Sequence, residues 1–228
     1  MILLKNVLIS FIQSLGIVLS AFPVTLLIMI LSLIFGAILG VFLTFIRLRK
    51  RPVPYAIATT FISFMRGTPM LVQLFLVYYG IPSFLQPLGI DLSDTSPIIF
   101  AIITFSLNSA AFLSEVFRSA YLAVDRGQQE AAFSVGLTNW QTVKRVIFPQ
   151  AFKIAIPNIG NSVIDLFKET SLAYSIGVLD MLGKARQIIA LDYGLKLFQI
   201  YIAVDIVYWI CCMIIEKIMD SIENIYNW

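Results

Sequence analysis

Long apolar runs separated by short polar stretches dominate this chain, and runs of about 20 apolar residues read as helices that cross a bilayer. Residues 1–16 form a short amphipathic lead-in. A first span is predicted over about Leu19 to Ile46, and a second long segment from Pro54 to about Leu85 with an interruption at Pro69. A third covers about Pro97 to Phe117, a fourth Ile154 to Ser175 and a last Leu197 to Ile218. Pro69 and Pro157 predict broken or kinked helices rather than straight rods. The polar stretch 175–196 is expected to return toward the membrane without crossing it. Within the first span, Gly36-Ala37-Ile38-Leu39-Gly40 is a GxxxG step, which permits close helix approach inside the bundle or to a second copy.

One polar loop, about residues 119–152, carries more structure than a linker needs. Residues 130–135 favour helix, and Gly136 can take the positive φ that ends one. Thr138, followed three residues later by Gln141, reads as a capping box that opens the next helix. Two short helices meeting at a corner present apolar faces at a water-exposed loop, where lipid is not the natural cover. The pattern predicts a knob that fits a socket on a cytosolic partner.

Composition turns this pattern into a class. The chain has 228 residues, 59% hydrophobic and 13% charged, with a mean hydropathy of +0.91. A soluble domain has about a quarter of its residues charged, so this is an integral membrane protein, read as a single domain over 1–228. The apolar N-terminal stretch runs on to Phe45 without a break, unlike a signal peptide. Ten of the 16 Lys and Arg fall after span one, in the knob loop and after the last span. The positive-inside rule therefore puts the knob and the C-terminus in the cytoplasm and the N-terminus outside. Histidine is absent, which removes His-based triads, His-ligated metals and His proton relays. The adjacent Cys211 and Cys212 lie in an apolar run and read as packing residues.

The knob residues Glu130-Ala131-Ala132, Gly136 and Pro149 match the EAA loop of ABC-type import permeases. The match extends further. Arg66-Gly67-Thr68-Pro69-Met70-Leu71-Val72-Gln73-Leu74-Phe75 resembles the opening of the second span in polar-amino-acid permeases, and 110–118 resembles the end of their third. Lys168-Glu169-Thr170-Ser171-Leu172 resembles the family's K-D-T-S-L turn, with Glu in place of Asp. The resemblance implies an all-α membrane protein, the type I ABC importer bundle of about five helices with a cytoplasmic coupling helix. It also implies a bacterial cell membrane, a second permease copy (a homodimer), two ABC ATPase subunits and an extracytoplasmic amino-acid-binding protein. Glu130, Ala131, Ala132, Gly136 and Leu137 would then couple to the ATPase. ATP and magnesium would sit on the partner chains, with no cofactor or metal here and no nucleic-acid partner. The chain agrees with that division: it has no P-loop, since Gly177 to Gly183-Lys184-Ala185 has the wrong spacing and Ala where Ser or Thr must hold magnesium.

Ionisable side chains inside a bilayer cost several kcal/mol unless paired or wetted, so each is a candidate for substrate contact. Glu115 reads either as an i, i+3 ion pair with Arg118 or as an acid that meets a substrate ammonium. Asp165 reads either as a pocket acid favouring a cationic group or as the partner of Lys168. Lys168, Thr170 and Ser171 lie where the helix loosens, and broken helix ends near the midplane bind the charged groups of small zwitterions. The two hydroxyls alternatively bond back to carbonyls one turn earlier. Arg66 either grips a carboxylate or clamps the Pro69 kink through freed carbonyls. Asn108 and Asn161 are polar partners for the bundle interior, and Asp205 faces an interface or the pathway. The expected substrate is a polar amino acid with a second amino group, cystine or a basic one. The alternatives are a stand-alone gradient-driven transporter or channel, and an intramembrane enzyme for which no spacing of nucleophile and base is present.

Overall fold

A computed structural model describes residues 2–226, and the side chains of residues 11–225. Helix α1 (Ile2–Ser20) meets α2 (Phe22–Arg49) at Ala21, next to Pro23 in the first turn of α2. The lead-in is thus a full 19-residue helix. After a left-handed residue at Lys50 (φ 50°), α3 (Pro52–Gly67) starts on a proline, whose fixed φ suits a first helical turn. Thr68 is extended, as expected of a residue before proline, and Pro69 opens α4 (Met70–Phe75). A π turn over Leu76–Gly80 joins α4 to α5 (Ile81–Leu85), so Met70–Leu88 forms one apolar rod. Then come α6 (Pro97–Ala123), the short α7 (Arg126–Ser134) and α8 (Asn139–Thr142), α9 (Phe148–Glu169), α10 (Met181–Leu191) and α11 (Leu197–Tyr226).

Among the described residues, four elements are long and apolar enough to cross a membrane: α2, the Met70–Leu88 rod, α6 and α11. The fourth predicted span, α9, packs between α6 and α11 and carries a polar face along its 22 residues. Pro157 sits inside α9 without ending it, and the helix gives way only at Thr170–Ile176, a tighter 3-10 stretch. Helix α10 occupies the stretch expected to fold back. Its N-terminus is tied down on three sides. The buried Asp180 carboxylate accepts the Gly183 and Leu182 amides at 2.9 and 3.4 Å and the Tyr208 hydroxyl at 3.4 Å. The Met181 amide donates to Thr25 Oγ1 of α2 at 3.2 Å.

Helix α6 is the central post, with Ala101, Thr104, Phe105, Ala110, Ala111 and Ser114 fully buried. Its closest neighbour is α2, and the GxxxG step is the reason. A Cβ added at Gly36 would lie 2.7 Å from Ser109 Cβ, and one at Gly40 would lie 3.2 Å from the Ala110 carbonyl. Polar bonds fasten the seam: Thr44 donates to the Ser114 carbonyl at 3.0 Å, and Ser32 to that of Ile102 at 3.4 Å. Both glycines therefore serve packing inside the bundle and not contact with a second copy.

Candidate functional site

The break at Pro69 frees backbone acceptors that need donors, since unpaired buried carbonyls cost about as much as a lost hydrogen bond. Gln73 supplies them. Its side-chain amide, 2% exposed, donates to the Met65 carbonyl at 2.8 Å and the Thr68 carbonyl at 3.0 Å. Its oxygen accepts the Asn108 amide of α6 at 2.9 Å. The expectation that Arg66 clamps the kink is therefore corrected: an uncharged side chain one turn beyond the proline does so, because its amide can both donate and accept.

Arg66 belongs to a different group. Glu115 on α6 pairs with three guanidiniums: Arg47 of α2 at 2.6 Å, Arg118 one turn further along α6 at 3.0 Å, and Arg66 of α3 at 3.6 Å. Arg47 is buried and Arg118 partly so, while Arg66 is about half exposed, with its guanidinium 5.5 Å from the centre of the Phe112 ring. The ion pair with Arg118 expected on the helix surface is present, within a larger cluster that ties three helices together. With three cations around it, Glu115 has little left to offer a substrate ammonium.

A cavity of about 360 Å³ lies between α2, α6 and α9. Asn108, Ser109 and Phe112 line it from α6, and Ser162, Asp165, Lys168 and Glu169 from α9. Asp165 and Lys168 pair at 2.8 Å, yet both remain more than half exposed. Glu169 makes no salt bridge among the described residues, so the wall carries two carboxyl groups and one ammonium. Of the predicted substrate residues, Asn108, Asp165 and Lys168 are brought together here. Thr170 and Ser171 are not among the lining residues; their hydroxyls donate to the Phe167 and Lys168 carbonyls at 2.7 Å, and Thr170 is fully buried. Ser109, Phe112, Ser162 and Glu169 were missed as lining residues. The one-turn spacing of Ser162, Asp165 and Glu169 on α9 signals two of them, and nothing comparable marks Ser109 or Phe112 on α6.

The knob is built as its sequence pattern expects. Asp125 caps α7, accepting the Gly127 amide at 2.6 Å. Gly136, at φ 83°, ends it in a Schellman arrangement, with the Leu137 amide donating to the Ala132 carbonyl and the Gly136 amide to that of Phe133. Thr138 and Gln141 form the reciprocal capping box of α8. Ala132, Thr142 and Ile147 turn inward, while Val135, Trp140 and Phe148 stand out at 76, 71 and 61% exposure. Glu130, Ala131 and Gly136 are exposed beside them, with Leu137 partly covered.

This geometry has known counterparts. A family model described as "Binding-protein-dependent transport system inner membrane component" matches residues 36–224. The L-cystine transport system permease protein TcyL of Bacillus subtilis is 45% identical over 195 residues, covering 85% of this chain and 80% of that protein. The glutamine transport system permease protein GlnP of Escherichia coli is 32% identical, with 88% of each covered. A solved amino acid ABC transporter crystallised with histidines superposes with a TM-score of 0.84 at 29% identity, over 95% of this chain and 97% of that one. The inward-facing MetNI methionine transporter shares the fold at a TM-score of 0.75 and 18% identity, over 93% and 97%. The chain has the type I ABC importer fold, is a multi-pass membrane protein, and works as a transport subunit whose ATPase is a separate chain. It belongs to the family of binding-protein-dependent transport system inner membrane components, as an amino-acid ABC transporter permease.

Proposed function

We propose that this permease imports a polar amino acid carrying a second ammonium group, with cystine first and basic amino acids next, through the cavity between α6 and α9. The observation that carries this is the α9 wall, where Asp165 and Glu169 face the cavity with Lys168 as the one cation among the described lining residues. A cavity with surplus negative charge favours a ligand with surplus amino groups. The likeness to a cystine permease supports the same choice. The exposed Asp165–Lys168 pair on a membrane helix needs water or a second chain beside it, which a homodimer around a shared pathway supplies. Two ATPase subunits holding ATP and magnesium dock on the Glu130–Leu137 corner in the cytoplasm. A binding protein delivers the substrate on the outer side, where the N-terminus lies.

Uptake into proteoliposomes holding the assembled transporter tests the substrate reading. Asp165→Asn is expected to reduce uptake of L-cystine or L-lysine about tenfold, as the loss of one charge-assisted hydrogen bond would. L-glutamine uptake should change less than twofold. Equal losses for all three would make Asp165 a structural aspartate and overturn the reading.

A further inference from the structure

The cluster around Glu115 is short of negative charge. One carboxylate faces three guanidiniums, and its two oxygens are taken at hydrogen-bond distance by Arg47 and Arg118. Arg47 Nε is buried with no hydrogen-bond partner, so the cluster holds more donors than its one carboxylate has bound. Arg66 comes third, at 3.6 Å, beyond a hydrogen bond and held by charge alone. Its other support is the face of Phe112, and Phe112 lines the cavity. The kink at Pro69 does not need it, because Gln73 caps the freed carbonyls. Arg66 is thus a half-exposed guanidinium, loosely held, one aromatic ring away from the cavity.

We propose that Arg66 is the arm that recognises the substrate's α-carboxylate, and that Glu115 holds it in waiting when the cavity is empty. The proposal rests on the reading of the cavity as an amino-acid site and adds its missing pole. Asp165 and Glu169 on α9 take the ammonium end, and Arg66 reaches across Phe112 for the carboxylate, which a guanidinium can grip with two parallel bonds. Leaving Glu115 costs Arg66 little, since no hydrogen bond is broken and Arg47 and Arg118 keep the carboxylate neutralised. A substrate without a carboxylate would leave the arm parked. Arg66 is therefore a selectivity residue for amino acids over amines.

Equilibrium binding to the permease–ATPase complex in lipid nanodiscs tests this, using L-cystine against cystamine, which keeps both ammonium groups and the disulfide but lacks both carboxylates. Wild type is expected to prefer L-cystine. Arg66→Gln should weaken L-cystine binding at least about tenfold and leave cystamine binding unchanged, so that the preference collapses. Arg66→Lys should recover part of it. Glu115→Gln, which removes the waiting position, should leave L-cystine binding as tight or tighter. A ratio unchanged by Arg66→Gln, or an equal loss for both ligands, overturns the carboxylate role. Glu115→Gln weakening L-cystine as much as Arg66→Gln does overturns the waiting role. The pairs L-lysine with cadaverine and L-glutamine with 4-aminobutanamide run in parallel. If wild type binds L-glutamine and neither L-cystine nor L-lysine, the substrate reading fails, and Arg66 is judged on the glutamine pair. A wild-type complex that binds both members of every pair equally overturns the proposal.

Discussion

Gln73 is where the second membrane segment turns, and its side chain does what no charged residue there could do as cheaply. It donates to two freed carbonyls and accepts from Asn108, so one neutral amide joins α3, α4 and α6. Replacing it with Leu keeps the volume and removes every bond. The Thr68 carbonyl then loses that donor, and the Met65 carbonyl and the Asn108 amide keep only the long 3.4 Å bond between them, at about 1–3 kcal/mol for a buried polar group left unsatisfied. Gln73→Leu should therefore lower the unfolding temperature in detergent by several degrees. A thiol-reactive dye reporting on the half-buried Cys211 and Cys212 follows this directly. Gln73→Glu should fare no better, because a carboxylate accepts and cannot donate. If Gln73→Leu unfolds at the wild-type temperature, the kink is held by something else. The sequence exposes the Pro69 break, since proline cannot continue a helix, but not which polar side chain repairs it. Arg66 and Gln73 lie on opposite sides of the proline, and only the fold decides which of them points at the freed carbonyls.

At the scale of elements, hydropathy locates four spans among the described residues, because their apolar runs are long enough to cross a bilayer. Helix α9 is harder to read. Its polar face, with Ser162, Asp165, Lys168 and Glu169, lines a cavity and lowers the average that hydropathy depends on. Two of them, Asp165 and Lys168, are candidate site residues in the sequence, so the feature that obscures the span also draws attention to the cavity. The GxxxG step shows the opposite limit: small residues announce close approach but not to what, and here the neighbour is α6. Gly36→Ala tests that contact. Its methyl would sit 2.7 Å from Ser109 Cβ, so α2 and α6 must part by several tenths of an ångström. Overpacking of this kind costs about 1–3 kcal/mol, and Ser109 lines the cavity, so uptake should fall together with stability. The double variant Gly36→Ala with Ser109→Gly removes the colliding atom and should restore most of the lost stability. Failure of the second change to rescue the first would place the strain elsewhere on α6.

At the scale of the whole molecule, the cavity and the knob lie on one continuous route, since α9 leads from the corner at α8 to Asp165 and Glu169. Under the proposed docking, a rigid helix pair at one end and a charged wall at the other would let a partner's closure move the wall without a further lever. The corner was legible because capping chemistry is local: glycine at the positive φ and the Thr-x-x-Gln box needed no tertiary contact to be read. Its partner can be tested without disturbing the fold. Glu130 is exposed, so Glu130→Arg changes only the surface presented to a docking chain. At Gly136 an added Cβ meets nothing within 4 Å, so Gly136→Asp costs only the strain of a positive φ, about 1 kcal/mol. Both variants should insert and unfold close to wild type, while co-purification of the ATPase chain in detergent falls at least about tenfold, as the loss of a buried interface contact worth more than 1.4 kcal/mol would give. Uptake should fall with it. If both variants keep the ATPase bound and transport at the wild-type rate, Val135, Trp140 and Phe148 are covered by something other than the energy-supplying subunit. The path from nucleotide to cavity would then have to enter the bundle at another loop.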